Sequence, residues 1–297
     1  MNVDVLVVGS VNQDRRASVR TLARPGETVL ADGTRVSGGG KGANQAAAAA
    51  RAGAAVAMVG AVGDDDAGRA LRAELERAGV DVGELKTVVG VPTGTAFITV
   101  ADDGENTIVV DSGANAYACL ELDDAVHPAV VLAQLEIPDG TVADAAAFAA
   151  AAGARFVLNA APAPERPERI PAGADPLVVN RHEAARLLGG EEPDPEAAAA
   201  RLLTTVGAAS AVVTLGADGG AVATPNETYR VSAAEAARLV DTTGAGDTFT
   251  GALAAALAHG APLREAVEAA AVSAAEAVGW PGARPSTDPS EAQGSDS

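Results

Sequence analysis

Four short apolar runs decide the architecture: Val130-Val131-Leu132-Ala133-Gln134-Leu135, Phe156-Val157-Leu158-Asn159, Leu177-Val178-Val179 and Ala211-Val212-Val213-Thr214. Each has the length and the valine content of a buried strand. Helical stretches lie between and after them, at 140–151, 181–188, 195–205, 245–258 and 262–278. Strands alternating with helices predict right-handed βαβ units and a mostly parallel sheet covered on both faces. Upstream, residues 3–8 and 55–59 read as strands of the same kind, and 43–52 and 67–78 as helices closed by Gly53 and Gly79. Two pieces break this rhythm. Residues 12–37 turn at Pro25-Gly26. Residues 92–111 hold strands at 96–100 and 107–110 joined by Asp102-Asp103-Gly104-Glu105, a hairpin spacing. They read as a small β appendage on an α/β body. The expected domain runs over 1–287, and the Pro-, Ser- and Asp-rich tail at 288–297 is expected to be disordered.

Composition narrows the function. The 297 residues carry 21 basic and 40 acidic side chains, a net charge of −19. A field of that sign repels nucleic acid and anionic lipid. One cysteine, Cys119, excludes an intrachain disulfide framework and a Cys-rich zinc site, and fits a reducing compartment. Residues 1–10 lack a basic leader and place Asp4 in the apolar run, so no signal peptide is expected there. No run of about 18 uncharged apolar residues exists to span a membrane. His127, His182 and His259 have neither ligand nor triad spacing.

The chemistry concentrates in glycine-rich segments. Asp241-Thr242-Thr243-Gly244-Ala245-Gly246-Asp247 opens a helix. Free amides and the positive end of the helix dipole at such a start form an anion hole. Asp247, in the first turn, can reach a substrate hydroxyl as a general base; it can equally serve the dipole alone. Ser37-Gly38-Gly39-Gly40-Lys41-Gly42-Ala43-Asn44 is neither a P-loop nor a dinucleotide fingerprint, because the required Gly and Ser/Thr positions are absent. It reads as a polar cradle in which Lys41 and Asn44 donate to hydroxyl oxygens, or as a turn with a solvated lysine. Asn180-Arg181-His182-Glu183 has capping-box spacing; Glu183 could also hold a magnesium-bound water. Glu136 ends a strand where open α/β sheets bind ligands, and reads equally as an exposed rim charge. Thr214-Leu215-Gly216-Ala217-Asp218-Gly219 could line a nucleotide or simply turn the chain. Asp64-Asp65-Asp66 reads as a helix cap.

Taken together, and with Gly9-Ser10-Val11-Asn12-Gln13-Asp14, Gly63-Asp64-Asp65 and Gly113-Ala114-Asn115 in order between them, these segments resemble the PfkB family of carbohydrate kinases, most closely its ribokinase branch, over about residues 3–287. The resemblance implies a three-layer α/β/α sandwich, ribokinase-like, with a small β-sheet lid. It implies transfer of phosphate from ATP to the primary hydroxyl of D-ribose in the cytoplasm. Other family acceptors (deoxyribose, fructose, a nucleoside) and a non-catalytic sugar-binding regulator remain alternatives. The sugar would meet Asn12, Asp14, Gly39, Gly40, Lys41, Asn44 and Glu136. Asp247 would take the proton, and the backbone of Gly244, Ala245 and Gly246 would stabilise the phosphoryl group. Asn180 and Glu183 would organise Mg2+ and phosphate. Thr214, Gly216, Ala217, Asp218 and Gly219 would line the nucleotide. A K+ site is implied at Asp241, Thr243, Ala277, Trp280, Gly282 and Ser286, and a homodimer through the lid. Two departures stand out: Arg15-Arg16 where the lid is usually apolar, and Ala271 where an adenine-facing Asn or His is usual.

Overall fold

In chain order the strands and helices of the computed structural model, which describes residues 3–122, 126–190 and 192–285, begin with β1 (Val5–Val8), β2 (Asn12–Val19), β3 (Ala31–Gly39), α1 (Lys41–Arg51), β4 (Val56–Gly63), α2 (Asp66–Arg77), β5 (Val80–Asp81) and β6 (Leu85–Val88). They continue with β7 (Gly94–Ala101), β8 (Asn106–Asp111), β9 (Val130–Gln134), α3 (Asp139–Ala152), β10 (Arg155–Asn159), β11 (Leu177–Asn180) and α4 (Arg181–Leu187). The last are α5 (Pro195–Thr205), β12 (Ala211–Thr214), β13 (Gly220–Ala223), β14 (Thr228–Val231), α6 (Ala245–Ala258) and α7 (Leu263–Ala277). Ser286 and the tail at 288–297 lie outside the described residues.

The main sheet has the order β14-β13-β12-β11-β10-β9-β1-β4-β5, with β6 also paired to β4. Every pair from β12 to β5 is parallel, as the alternation predicts. Only β12–β13 and β13–β14 are antiparallel. The sequence reading missed β5, β6, β13 and β14, which are only two to four residues long. The appendage is real: β3-β2-β7-β8 form a separate four-stranded sheet, with β7–β8 the expected hairpin. Asp65 caps α2, its side chain accepting from the Gly68 N–H at 2.8 Å.

Strand alternation splits the core in two. From β1, Leu6 and Val8 face a cluster with Val142 of α3, Leu187 of α4 and Leu202 of α5. Val5 and Val7 face the other cluster, with Ala46 of α1, Leu71 of α2, Leu253 of α6 and Val267 of α7. With so few aromatics, alanine fills these interfaces and helix axes come close. Among the described residues no helix is long and apolar enough to cross a membrane.

The strand order reverses at the β9–β1 pair, since the chain runs from β1 to β4 on one side and later returns to β9 on the other. Such a switch point opens a crevice at the carboxyl ends of the strands. The N-termini of α1 and α6 meet above it, and these two helices pack through Gly251. A Cβ there would stand 2.3 Å from the Gln45 carbonyl oxygen and 2.7 Å from Ala48 Cβ. We therefore expect Gly251→Ala to destabilise the fold by about 1–3 kcal/mol despite alanine's better helix propensity. Chemical denaturation with both proteins side by side measures this.

Candidate active site

Asp247 sits in the first turn of α6 and is 9% exposed. Burying a carboxylate requires donors, and α1 supplies two. Asn44 Nδ2 donates to Oδ2 at 2.9 Å, and Gln45 Nε2 donates to Oδ1 at 2.9 Å. Gln45 is itself fixed: its Nε2 also reaches Asn159 Oδ1 at 3.0 Å, and its Oε1 accepts from Gln134 Nε2 at 2.7 Å. Asn44 Oδ1 is a buried acceptor without a partner among the described residues. A hydroxyl brought beside Asp247 would satisfy it.

The loop before α6 turns through Gly244 at φ +77°, with the backbone of Ala283 against it; a Cβ there would lie 2.5 Å from Ala283 Cα. The first amides of α6 have no intrahelical acceptor. Gly244, Gly246 and Asp247 line a cavity of about 130 Å³ whose wall also includes Lys41, Asn180 and Glu183. Lys41, the first residue of α1, is held charged above its usual range by Asp247 foremost, against the opposing effect of burial, with Glu136 and Glu183 adding to it. It thus stands between the expected sugar and phosphate sets. A larger open hollow beside Arg72, Glu76 and the residues at 79–83 lies at the opposite end of the strands and gathers no comparable chemistry.

The end of β9 and the small sheet bring the rest. Glu136, just past β9, accepts from Ser10 Oγ at 2.5 Å and from the Lys41 N–H at 3.0 Å. Asn12 is 2% exposed, and its Oδ1 accepts from Asn115 Nδ2 at 2.7 Å. Asp14 lies two residues along β2, with the backbone of Gly39 against its carboxylate. Gly40 precedes α1 at the head of the cradle. Burial pushes the Asp14 carboxyl up to about 6, Arg284 opposing it and Glu136 and Asp247 adding to it.

The capping-box reading of the Asn180 segment holds. The capping box is complete: the Glu183 N–H donates to Asn180 Oδ1 at 2.9 Å, and the Asn180 N–H donates to Glu183 Oε2 at 2.7 Å. The same Glu183 lines the cavity, and burial raises its carboxyl above the usual range although Asn180 and Lys41 pull it down. Of the nucleotide set, Thr214 lines the cavity, while Gly216, Ala217 and Asp218 form an exposed turn beyond it and Gly219 closes that turn. Arg181 and Asp218 approach to 3.6 Å across it. Ala271, on α7, packs at the edge of the core.

Of the expected potassium set, Asp241 and Thr243 meet each other. Thr243 donates its N–H to Asp241 Oδ1 at 2.9 Å, but Oδ2 accepts from Arg16 Nη1 at 2.9 Å. The Ala277 carbonyl accepts from the Trp280 N–H at 3.0 Å, and Arg51 covers the Trp280 ring at 4.0 Å. Gly282 turns at φ +96°, and Ser286 is outside the described residues.

Sequence reasoning gave no role to Ser10, Asn115 or Gln134, though each stands inside a quoted motif, nor to Gln45, one residue past the quoted cradle. Arg284 had no signal at all. Its side chain is 9% exposed, 3.5 Å from Glu74 Oε1, and its Nε and Nη donors make no hydrogen bond among the described residues.

The family model of the pfkB family carbohydrate kinases matches residues 2–290. The chain belongs to that family. A ribokinase of Haemophilus influenzae is 36% identical over 293 residues, 96% of this chain and 95% of that protein. The solved Arabidopsis thaliana ribokinase complexed with ribose and ATP matches with a TM-score of 0.84 at 33% identity, over 94% of this chain and 93% of that one. Ribokinase from Cryptococcus neoformans in complex with ADP matches at 0.81 and 33% identity, over 95% of each chain.

The raised Asp14 carboxyl yields a prediction with opposite signs for stability and binding. A carboxyl whose pKa is raised by folding stabilises the fold when protonated, and that stability is lost as pH rises through about 6. Asp14→Asn is therefore expected to stabilise the ligand-free protein at pH 7.5 by about 1–3 kcal/mol. It should weaken sugar binding at the same pH. Thermal melts paired with sugar calorimetry check both signs.

Proposed function

We propose that this pfkB-family carbohydrate kinase transfers the γ-phosphoryl group of ATP to the primary O5 hydroxyl of D-ribose, giving ribose 5-phosphate. The observation that carries the reading is the Asp247 carboxylate, oriented by Asn44 and Gln45 at the helix start that also presents the loop amides. The names of the ribokinase relatives, two of them solved with ribose and ATP or with ADP, support the substrate pair.

In this reading Asn12, Asp14, Gly39, Gly40, Lys41, Asn44 and Glu136 hold the sugar hydroxyls under the small sheet, which acts as a lid. Asp247 accepts the proton of the hydroxyl as that oxygen attacks phosphorus. The bond to the β–γ bridging oxygen breaks and ADP leaves. Amides of Gly244, Ala245 and Gly246 meet the charge on the transferring group, each well-aimed donor being worth about 3 kcal/mol in the transition state. Phosphoryl transfer needs little more than such positioning and charge stabilisation. Thr214 and the turn at Gly216, Ala217, Asp218 and Gly219 line the nucleotide.

Mg2+ is part of the proposal. Among the described residues no cluster of three or more His, Cys, Asp or Glu could hold a metal by itself. Mg2+ is commonly held by one or two carboxylates, waters and substrate phosphates, and Glu183 with Asn180 fits that mode. When bound it neutralises phosphate charge. The expected K+ at Asp241 meets the Arg16 guanidinium, and no step is drawn through it. A cytoplasmic setting accords with ATP as co-substrate and with the unpaired Cys119.

A homodimer through the lid is likewise proposed. Val36, Phe97 and Val109 are exposed in one cross-strand row, with Arg15 between Val36 and Phe97. Phe97→Glu should halve the mass seen by light scattering if that row is the interface. For the chemistry, Asp247→Asn is expected to keep ribose binding by calorimetry and to lose turnover by about 10²–10⁴-fold in an ADP-release assay. Substantial remaining turnover would remove Asp247 from the base role.

A further inference from the structure

Arg16 lies on β2, two residues beyond Asp14, and reaches across to the loop before α6. Its Nη1 donates to Asp241 Oδ2 at 2.9 Å, joining residues 225 apart in sequence. The contact is partly sheltered, with Arg16 37% exposed and Asp241 16%. The other carboxylate oxygen accepts from the Thr243 N–H at 2.9 Å, and the Val240 and Asp241 amides both donate to the Val278 carbonyl. From this fixed root the loop closes on itself, the Ala245 N–H reaching the Thr242 carbonyl at 3.3 Å and the Thr248 N–H the Gly244 carbonyl at 2.8 Å. Asp241 is thus the anchor of the segment that delivers the helix-start amides to the cavity. Burial alone would favour its neutral form; Thr243 and Arg16 outweigh that and hold it ionised below the usual carboxylate range.

This arrangement disagrees with the monovalent-ion site that the resemblance implies. The carboxylate that should face a potassium ion already has an amide on one oxygen and a guanidinium on the other. A guanidinium stays charged throughout the usable pH range and needs no salt to be present. It also belongs to the strand that carries Asn12 and Asp14, so the cation and the residues proposed to bind the sugar share one element.

We propose that Arg16 is a tethered monovalent cation, a positioning residue that holds the anion-hole loop through Asp241 in the place where a potassium ion is expected. The inference rests on reading that loop as the phosphoryl-binding element. A lid that settles over the sugar would then also seat the loop, coupling acceptor binding to phosphoryl stabilisation.

The test compares wild type, Arg16→Met and Arg16→Lys with ribose and magnesium ATP, potassium being replaced by choline at constant ionic strength. Wild-type kcat is expected to change by less than about twofold with potassium, whereas Arg16→Met without potassium should lose about 10–100-fold in kcat, within the usual range of coupling between sites. Low, non-denaturing guanidinium or potassium should restore that variant saturably, and Arg16→Lys should need less of either. Independently of turnover, amide exchange over residues 241–246 should speed up in Arg16→Met and slow again with guanidinium. Wild type activated tenfold or more by potassium, or Arg16→Met retaining full turnover in choline, would overturn the proposal. If wild type phosphorylates no ribose under any condition, the underlying functional reading falls; the exchange comparison then still decides whether Arg16 holds the loop, and unchanged exchange in Arg16→Met overturns it.

Discussion

The carboxylate of Asp247 can be buried at the start of α6 only because Asn44 and Gln45, from the start of α1, donate one hydrogen bond to each of its oxygens. Burying a carboxylate without such donors would destabilise the fold. That pair of bonds demands that two helix N-termini converge within hydrogen-bond reach. The demand explains the composition of the helices between which it acts. Ala46, Ala49, Gly251, Ala252 and Ala255 are small because α1 and α6 must run close together. It also explains the buried Gln134 and Asn159 at the ends of β9 and β10, which fix Gln45 from below. The parallel sheet supplies the platform, since its switch point is where both helices can begin.

A second constraint is charge. A chain at −19 has to accept a nucleotide of about −4, and its site already gathers Asp14, Glu136, Glu183 and Asp247. The answer is local. Lys41 stands among three of those carboxylates, Arg284 faces Asp14, Glu74 and Asp247, and Arg16 covers Asp241. Helix-start amides add positive potential without side chains. Global repulsion is screened within roughly 10 Å at ordinary salt, so these near charges dominate what a bound phosphate feels.

The α/β body was legible in the sequence because buried parallel strands are continuous apolar runs, as in β9 through β12. The small sheet was legible as a break in that rhythm. The short strands β13 and β14 were not, because four residues such as Thr228 to Val231 carry no period. Within the site, the glycine loops and Asp247 stood out as local motifs, and the structure brings them together. Gln45 was hidden in an alanine-rich helix, where its role depends on strands 89 and 114 residues away. Arg16 looked like an odd charge in a lid. Its partner lies at the other end of the chain, and no local pattern announces a contact over 225 residues. Asn180 and Glu183 show the converse: a complete capping box does not exclude a place at the cavity wall, because one carboxylate oxygen serves the cap.

The most direct test of the central claim is a crystal structure of the wild-type protein with D-ribose and a non-hydrolysable ATP analogue. The account predicts the O5 hydroxyl within about 3.2 Å of an Asp247 carboxylate oxygen, with Asn44 and Gln45 still donating to that carboxylate. The γ-phosphate should lie against the amides at 244–246. A sugar bound with O5 turned away from Asp247, or phosphates seated elsewhere than on that loop, would contradict it.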